Sequence, residues 1–195
     1  MLFIVKDTDQ KESKYLRTKI CFSDGSALLF MDKRKFGRIY HVENSDTFLA
    51  KVGIDAVDPT LNDDLFSSML KKSRMSIKAF LLSQKYMSGM GNIYVDESLF
   101  RAGIHPASVA SKISKTKAKL LFAEIRAVLF FAIDNMGSTI SDYRTVNGNI
   151  GNNQKYFKVY QQTGRPCINC GSVIKKIKLA QRGTHFCAQC QKIFK

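Results

Sequence analysis

No stretch of this 195-residue chain approaches the roughly 18 uninterrupted apolar residues that a membrane-spanning helix needs. The apolar opening Met1–Val5 is too short for the hydrophobic core of a secretory signal, so the expected setting is intracellular and reducing. Acidic side chains are scarce, 16 against 31 Lys and Arg, for a net charge of +15. From Tyr143 to Lys195 there are ten Lys or Arg and not one Asp or Glu. A surface of that sign faces a polyanion. Proline is rare, and Pro59, Pro106 and Pro166 are all internal. With 45% apolar residues, what remains is a globular protein of one or two domains.

Cysteine is also sparse, but four of the five are grouped. Cys167-x2-Cys170 and Cys187-x2-Cys190 stand sixteen residues apart inside the basic stretch. Two such knuckles close a tetrahedral all-thiolate site around one structural Zn2+ and hold two short hairpin turns together. Disulfides fit less well, because closely spaced pairs without a signal peptide usually mean metal. Ten cations, two charges from zinc and four thiolates leave the module near +8, for which DNA or RNA phosphate is the natural partner. The plainer alternative is a structural zinc ribbon with a solvated basic face. Cys21 lies in an apolar strand-like stretch and is expected to be an inert core thiol.

The chain reads as α+β. Residues 1 to about 50 look like strands: Ile20-Cys21-Phe22 and Ala27–Phe30 flank the turn Ser23-Asp24-Gly25, and Phe36–Tyr40 reads as a further strand. Helical periodicity starts at Asp58-Pro59-Thr60. Thr60 is expected to cap a helix burying Leu61, Leu65, Met69 and Leu70, and Ser76 one burying Ile77, Phe80 and Leu81. A third helix runs from about Asn92 to Gly103. The longest opens at Ser114, buries Leu121, Ile125, Val128, Leu129, Ala132 and Ile133, and stops at Gly137. Tyr143–Gln154, with Gly148, Gly151 and four Asn, reads as a loop.

The turn Gly89-Met90-Gly91-Asn92 precedes the third helix. Glycines there expose backbone N–H groups at the positive end of the helix dipole, and Asn92 adds a side-chain donor, an arrangement suited to one phosphate. A plain helix–helix turn with an Asn cap is the competing reading.

The run from Gly89 to Pro106 closely resembles the helix-two-turns-helix signature of the formamidopyrimidine-DNA glycosylase and endonuclease VIII family. Gly164–Gly171 and Gln181–Gln191 resemble its zinc finger, and Asp32-Lys-Arg-Lys-Phe-Gly37 is similar to its Asp-Pro-Arg-Arg-Phe-Gly segment. The resemblance covers the chain from about Asp24 to its end. It implies a partial β-sandwich remnant at 1–50, a helix-two-turns-helix domain with its following loop at 51–154, and a four-cysteine zinc finger of β-hairpin type at 155–195. It also implies excision of oxidised bases from double-stranded DNA through a Schiff base, strand nicking at damaged or abasic sites, and a monomer in cytoplasm or nucleus wherever DNA is accessible.

By resemblance, Asn92, with Gly91 beside it, and Arg182 pinch the phosphates flanking the damaged nucleotide, and Arg182 assists δ-elimination. Arg34 and Phe36 enter the duplex when the nucleotide is flipped out, the alternative for Phe36 being a strand-core aromatic. Arg74 falls near a basic DNA-contacting position, with Lys71 and Lys72 as rivals. Tyr143–Gln154 lies where relatives close a loop over the extruded base. Asp96 and Glu97 are read as structural, and His41, His105 and His185 are given no catalytic role. The family's nucleophile is an N-terminal proline followed by glutamate, and this chain begins Met1-Leu2-Phe3. The chain as written is therefore expected not to excise bases by that route, and a catalytically inactive damaged-DNA-binding module is the alternative function.

Overall fold

The computed structural model describes residues 2–5, 13–140, 144 and 149–195. Two compact units divide them, one built from 1–43 with 132–155, the other from 44–131 with 156–195.

In the first unit, strands β1 (Leu2–Val5), β2 (Leu16–Cys21) and β3 (Ala27–Met31) form an antiparallel sheet in the order β1-β3-β2. The predicted turn joins β2 to β3. Asp24 Oδ1 accepts from Ser26 N at 2.9 Å and Ser26 Oγ at 2.6 Å, and Gly25 takes the left-handed conformation at φ 82° that side chains avoid. Register pairs Leu2 with Phe30 and both Ile4 and Ile20 with Leu28, so one face of the sheet is apolar; Leu2, Ile4 and Ile20 on it are exposed. Cys21 is exposed as well, contrary to expectation, because it ends an edge strand in a sheet too small to cover it. Residues 36–40 form no strand.

The second unit opens with α1 (Ser45–Leu49), a short helix inside the stretch read as strands; Asn44 caps it by accepting from Thr47 N. Strand β4 (Ile54–Asp55) pairs in parallel with β5 (Met87–Ser88). Helix α2 (Asp63–Lys71) starts later than predicted. Its cap is Asn62, accepting from Leu65 N, while Thr60 is drawn into a turn around Asp58 Oδ1. The shift in phase buries Phe66 where Leu65 was expected, and leaves Leu65 exposed. Ser76 caps α3 (Ile77–Leu82) as predicted.

Helix α4 (Asn92–Ala102) ends at Gly103, whose φ of 67° closes the last turn with N–H bonds to Leu99 and Phe100 carbonyls. Ser114 opens α5 (Lys115–Asp134), with Lys117 N donating to its Oγ, and Gly137 stops it. Ile133, expected inside, is exposed in the last turn. The core gathers Leu61, Phe66, Leu70, Ile77, Phe80, Leu81, Leu99, Leu121 and Ile125, each contributing roughly 1.5–3 kcal/mol on burial. Phe66 stacks on Phe122 at 5.4 Å. Arg126 reaches from α5 to the carbonyls of Ala56, Val57 and Asp58 and so fixes the approach to α2.

Strands β6 (Lys175–Leu179) and β7 (Arg182–Phe186) form an antiparallel hairpin whose last pair is Leu179 with Arg182. Its two-residue turn, Ala180-Gln181, has φ of 49° and 59° at non-glycine residues. Among the described residues, no helix is long and apolar enough to cross a membrane.

Candidate nucleic-acid interface

The four cysteines predicted as ligands converge. Their sulfurs lie within 4.8 Å of one another, with Cys167 to Cys190 at 3.8 Å and Cys170 to Cys187 at 3.5 Å. A tetrahedron with Zn–S near 2.3 Å has sulfur separations of about 3.8 Å, so the donor set fits one structural zinc ion. As thiols three of them differ: the Ser172 side chain holds Cys170 down to about 6, while burial pushes Cys187 and Cys190 up. A dication stabilises all four as thiolates together. Gln191 joins this knuckle to the end of α4, accepting from Cys187 N at 2.8 Å and donating to the Ile104 carbonyl at 2.9 Å.

The glycine turn is braced from behind. Gln84 accepts from Gly89 N at 3.0 Å and donates to the Met90 carbonyl at 2.7 Å, and Gly89 sits at φ 85°. The residue capping α4 is Gly91, not Asn92, and it offers no side-chain cap. The first turn of the helix is thus left without a side-chain acceptor, and a Cβ at Gly91 would meet nothing within 4 Å. Asn92, the first helical residue, donates from Nδ2 to the Gly183 carbonyl at 3.0 Å. That one bond sets the turn beside the finger hairpin and makes Arg182, which is exposed, the neighbour of the residue Asn92 holds.

Beneath the contact lies a buried charged cluster that sequence reasoning missed. Lys78 and Asp96 are both fully buried and pair at 2.5 Å, and Lys78 Nζ is 3.3 Å from the same Gly183 carbonyl. Asp96 Oδ2 accepts from His185 N at 2.9 Å and stands 3.2 Å from His185 Nδ1. Burial pulls the Lys78 ammonium below its ordinary value, and Asp96 opposes that pull. A signal existed: Lys78 falls three and four residues before Leu81 and Leu82 in a helix otherwise made of apolar residues.

Comparison with known proteins agrees with this geometry. Residues 52–144 match the family model described as the formamidopyrimidine-DNA glycosylase H2TH domain, and residues 164–193 match the zinc finger found in FPG and IleRS. Formamidopyrimidine-DNA glycosylase of Solibacter usitatus is 41% identical over 179 residues, covering 92% of this chain and 67% of the relative. That of Enterococcus faecalis is 40% identical over 190 residues, covering 95% and 68%.

The chain belongs to the formamidopyrimidine-DNA glycosylase family.

Solved glycosylases of the family superpose closely. Lactococcus lactis Fpg in complex with abasic-site DNA gives a TM-score of 0.85 at 36% identity, covering 98% of this chain and 71% of that one. The Thermus thermophilus protein gives 0.86 at 36% identity, covering 93% and 70%.

The remaining predicted residues of this glycosylase-family chain sit as follows. In the first unit, the Asp32 carboxylate accepts from Arg34 N at 3.0 Å and Gly37 N at 2.6 Å, winding 32–37 into a tight turn. Gly37 lets the turn pass close under the Phe30 ring: a Cβ there would lie 2.3 Å from its tip, and the ring would have to shift. The turn displays Phe36 with 79% of its surface exposed, under the Arg34 guanidinium at 5.9 Å, which overturns the strand-core alternative. Arg74 is exposed between α2 and α3, as are Lys71 and Lys72. Glu97 is buried and accepts from the backbone N–H of Lys158, Val159 and Tyr160, the structural role expected of it. His105 accepts from Ala107 N and packs on Phe186, apart from the cysteine set. Most of Tyr143–Gly148 lies outside the described residues; the end of that loop is pinned by Gly151 N to Thr139 Oγ1 and Thr139 N to Gln154 Oε1.

Proposed function

We propose that this chain grips double-stranded DNA at a damaged or abasic site, as the DNA-holding part of a glycosylase and AP lyase acting on oxidised bases. The observation that carries this reading is the Asn92–Gly183 bond, which sets an uncapped helix N-terminus beside an exposed arginine on a zinc-stapled hairpin. Two cationic or N–H-rich groups so close can take successive phosphates of a kinked strand. Arg182 supplies a directed fork as well as charge, and a place near the phosphate that leaves in δ-elimination. Gly91 leaves its side open to the strand, and Arg74 adds a flanking cation. Arg34 and Phe36 supply the pair that fills the gap left by a flipped nucleotide, Phe36 as wedge and Arg34 toward the orphaned base.

The division into a β remnant at 1–50, a helix-two-turns-helix region at 51–154 and a finger at 155–195 is part of the same proposal, supported by the matched stretches 52–144 and 164–193. The protein acts as a monomer in whichever compartment, cytoplasm or nucleus, exposes DNA.

The test is fluorescence anisotropy with a duplex carrying an abasic-site analogue. Arg182→Ala and Asn92→Ala each weaken binding by roughly 1–3 kcal/mol without loss of helical signal, and affinity falls steeply with salt. Unchanged affinity in either variant sinks the proposal. Borohydride trapping with an abasic duplex separates cutting from holding: a covalent adduct marks lyase chemistry, and binding without adduct marks the inactive-module alternative.

A further inference from the structure

The phosphate grip proposed above depends on where the hairpin stands relative to α4, and that relation has an identifiable source. Asn92 and Asp96 are four apart on α4 and so share a face, while Gly183 and His185 are two apart on β7 and so share one side of the strand. The two pairs meet, Asn92 on Gly183 at 3.0 Å and Asp96 on His185 at 2.9 Å. From α3, Lys78 closes the figure by touching Asp96 at 2.5 Å and the Gly183 carbonyl at 3.3 Å. Arg182 precedes Gly183 at the start of β7, directly after the Ala180-Gln181 turn, and is exposed there.

The geometry points to Asp96 as a positioning residue for the clamp: its buried carboxylate binds α3 and β7 to one point of α4 and thereby fixes Arg182 against the Asn92 turn. This rests on the function proposed above. Thr184, between the two anchored residues of β7, turns its hydroxyl back to the Arg182 carbonyl at 3.2 Å instead of reaching across to α4. The Ala180-Gln181 turn is strained, with both residues at positive φ, and would relax if the strand below it were free. The lever is short, because Asp96 grips β7 three residues from Arg182. A buried ion pair is weak as a source of net stability and better suited to fixing one arrangement among several, since each charge is tolerated only where its partner stands.

The experiment uses the zinc-loaded 195-residue chain and two duplexes, one with an abasic-site analogue and one intact, titrated by anisotropy at several salt concentrations. The variants are Asp96→Asn, Arg182→Ala and their combination, with circular dichroism and zinc content measured on each. Asp96→Asn is expected to keep one zinc and its helices, to weaken abasic-duplex binding about tenfold, and to lower the salt slope by about 0.9, the share of one phosphate. The combination is expected to bind no worse than Arg182→Ala alone.

Wild-type affinity and slope in folded Asp96→Asn, or a loss that adds fully to that of Arg182→Ala, overturns the positioning role. Where Asp96→Asn fails to fold, Lys78→Met with Asp96→Leu replaces the pair by apolar side chains of similar size; restored binding on restored stability means the network only stabilises, as does failure of this variant to fold too. If Arg182→Ala itself binds normally, the clamp reading fails, and the two failures are thus told apart.

Discussion

Glu97 is the carboxylate most open to misreading, because a buried glutamate in a glycosylase-family protein invites an acid/base role. Its surroundings say otherwise. Oε1 accepts from the N–H groups of Lys158, Val159 and Tyr160 at 3.0, 2.9 and 2.9 Å, and Oε2 from Lys158 at 3.1 Å. One side chain on α4 therefore holds three successive amides of the segment entering the finger, and the Tyr160 ring in turn rests on His185 at 4.8 Å. Glu97→Ala strands those donors. An unsatisfied buried N–H costs about 1–3 kcal/mol, and since only Val159 is fully buried the total should be about 3–5 kcal/mol. For a chain of this size that lowers the melting temperature by roughly 6–20 °C. Glu97→Gln keeps one acceptor oxygen and should lose about half as much. Thermal unfolding followed by circular dichroism reads both. A Glu97→Ala protein within about 0.5 kcal/mol of wild type would refute the accounting.

Cys187→Ser should release zinc and melt the finger while α2–α5 keep their signal, because the metal's binding energy is the finger's folding energy; zinc content and helical ellipticity together check this. Gln181→Gly should stabilise the hairpin by about 1 kcal/mol, since glycine takes φ of 59° without strain, and a chelator titration of finger unfolding measures it. The chain has no tryptophan, so Phe36→Trp gives a lone reporter whose fluorescence should shift or quench when it enters an abasic duplex; an unchanged spectrum at saturation removes the wedge. The same reporter follows the 32–37 turn with pH. The Gly37 N–H holds the Asp32 carboxyl below its ordinary value, so the carboxylate's support is complete above about pH 3.9 and is lost as pH falls below it; a turn unchanged down to pH 2 contradicts this.

Much was fixed locally and so could be read from the chain. Four thiols in two CxxC pairs have few solutions other than a tetrahedral metal, and the sulfurs converge accordingly. Asp24-Gly25, Ser76, Gly103 and Ser114 act within their own turns, and each does what its chemistry dictates. Local signals failed where two compete. Thr60 lost the cap to Asn62 because Asp58 claimed its hydroxyl, and that slip in phase exchanged Leu65 for Phe66 in the core. Phe36–Tyr40 has strand composition, yet Asp32 folds the chain back on itself first.

What no local rule supplies is the meeting of Asn92 with Gly183, ninety-one positions on, or of Lys78 with Asp96 and His185. Those contacts join a helix, a second helix and a hairpin held by metal, and they exist only once the apolar faces of all three have packed. Composition and cysteine spacing determined a strongly basic surface and a four-thiolate set fitted to one zinc ion; tertiary packing decided which donors stand together, because a buried charge chooses its partner by position in space.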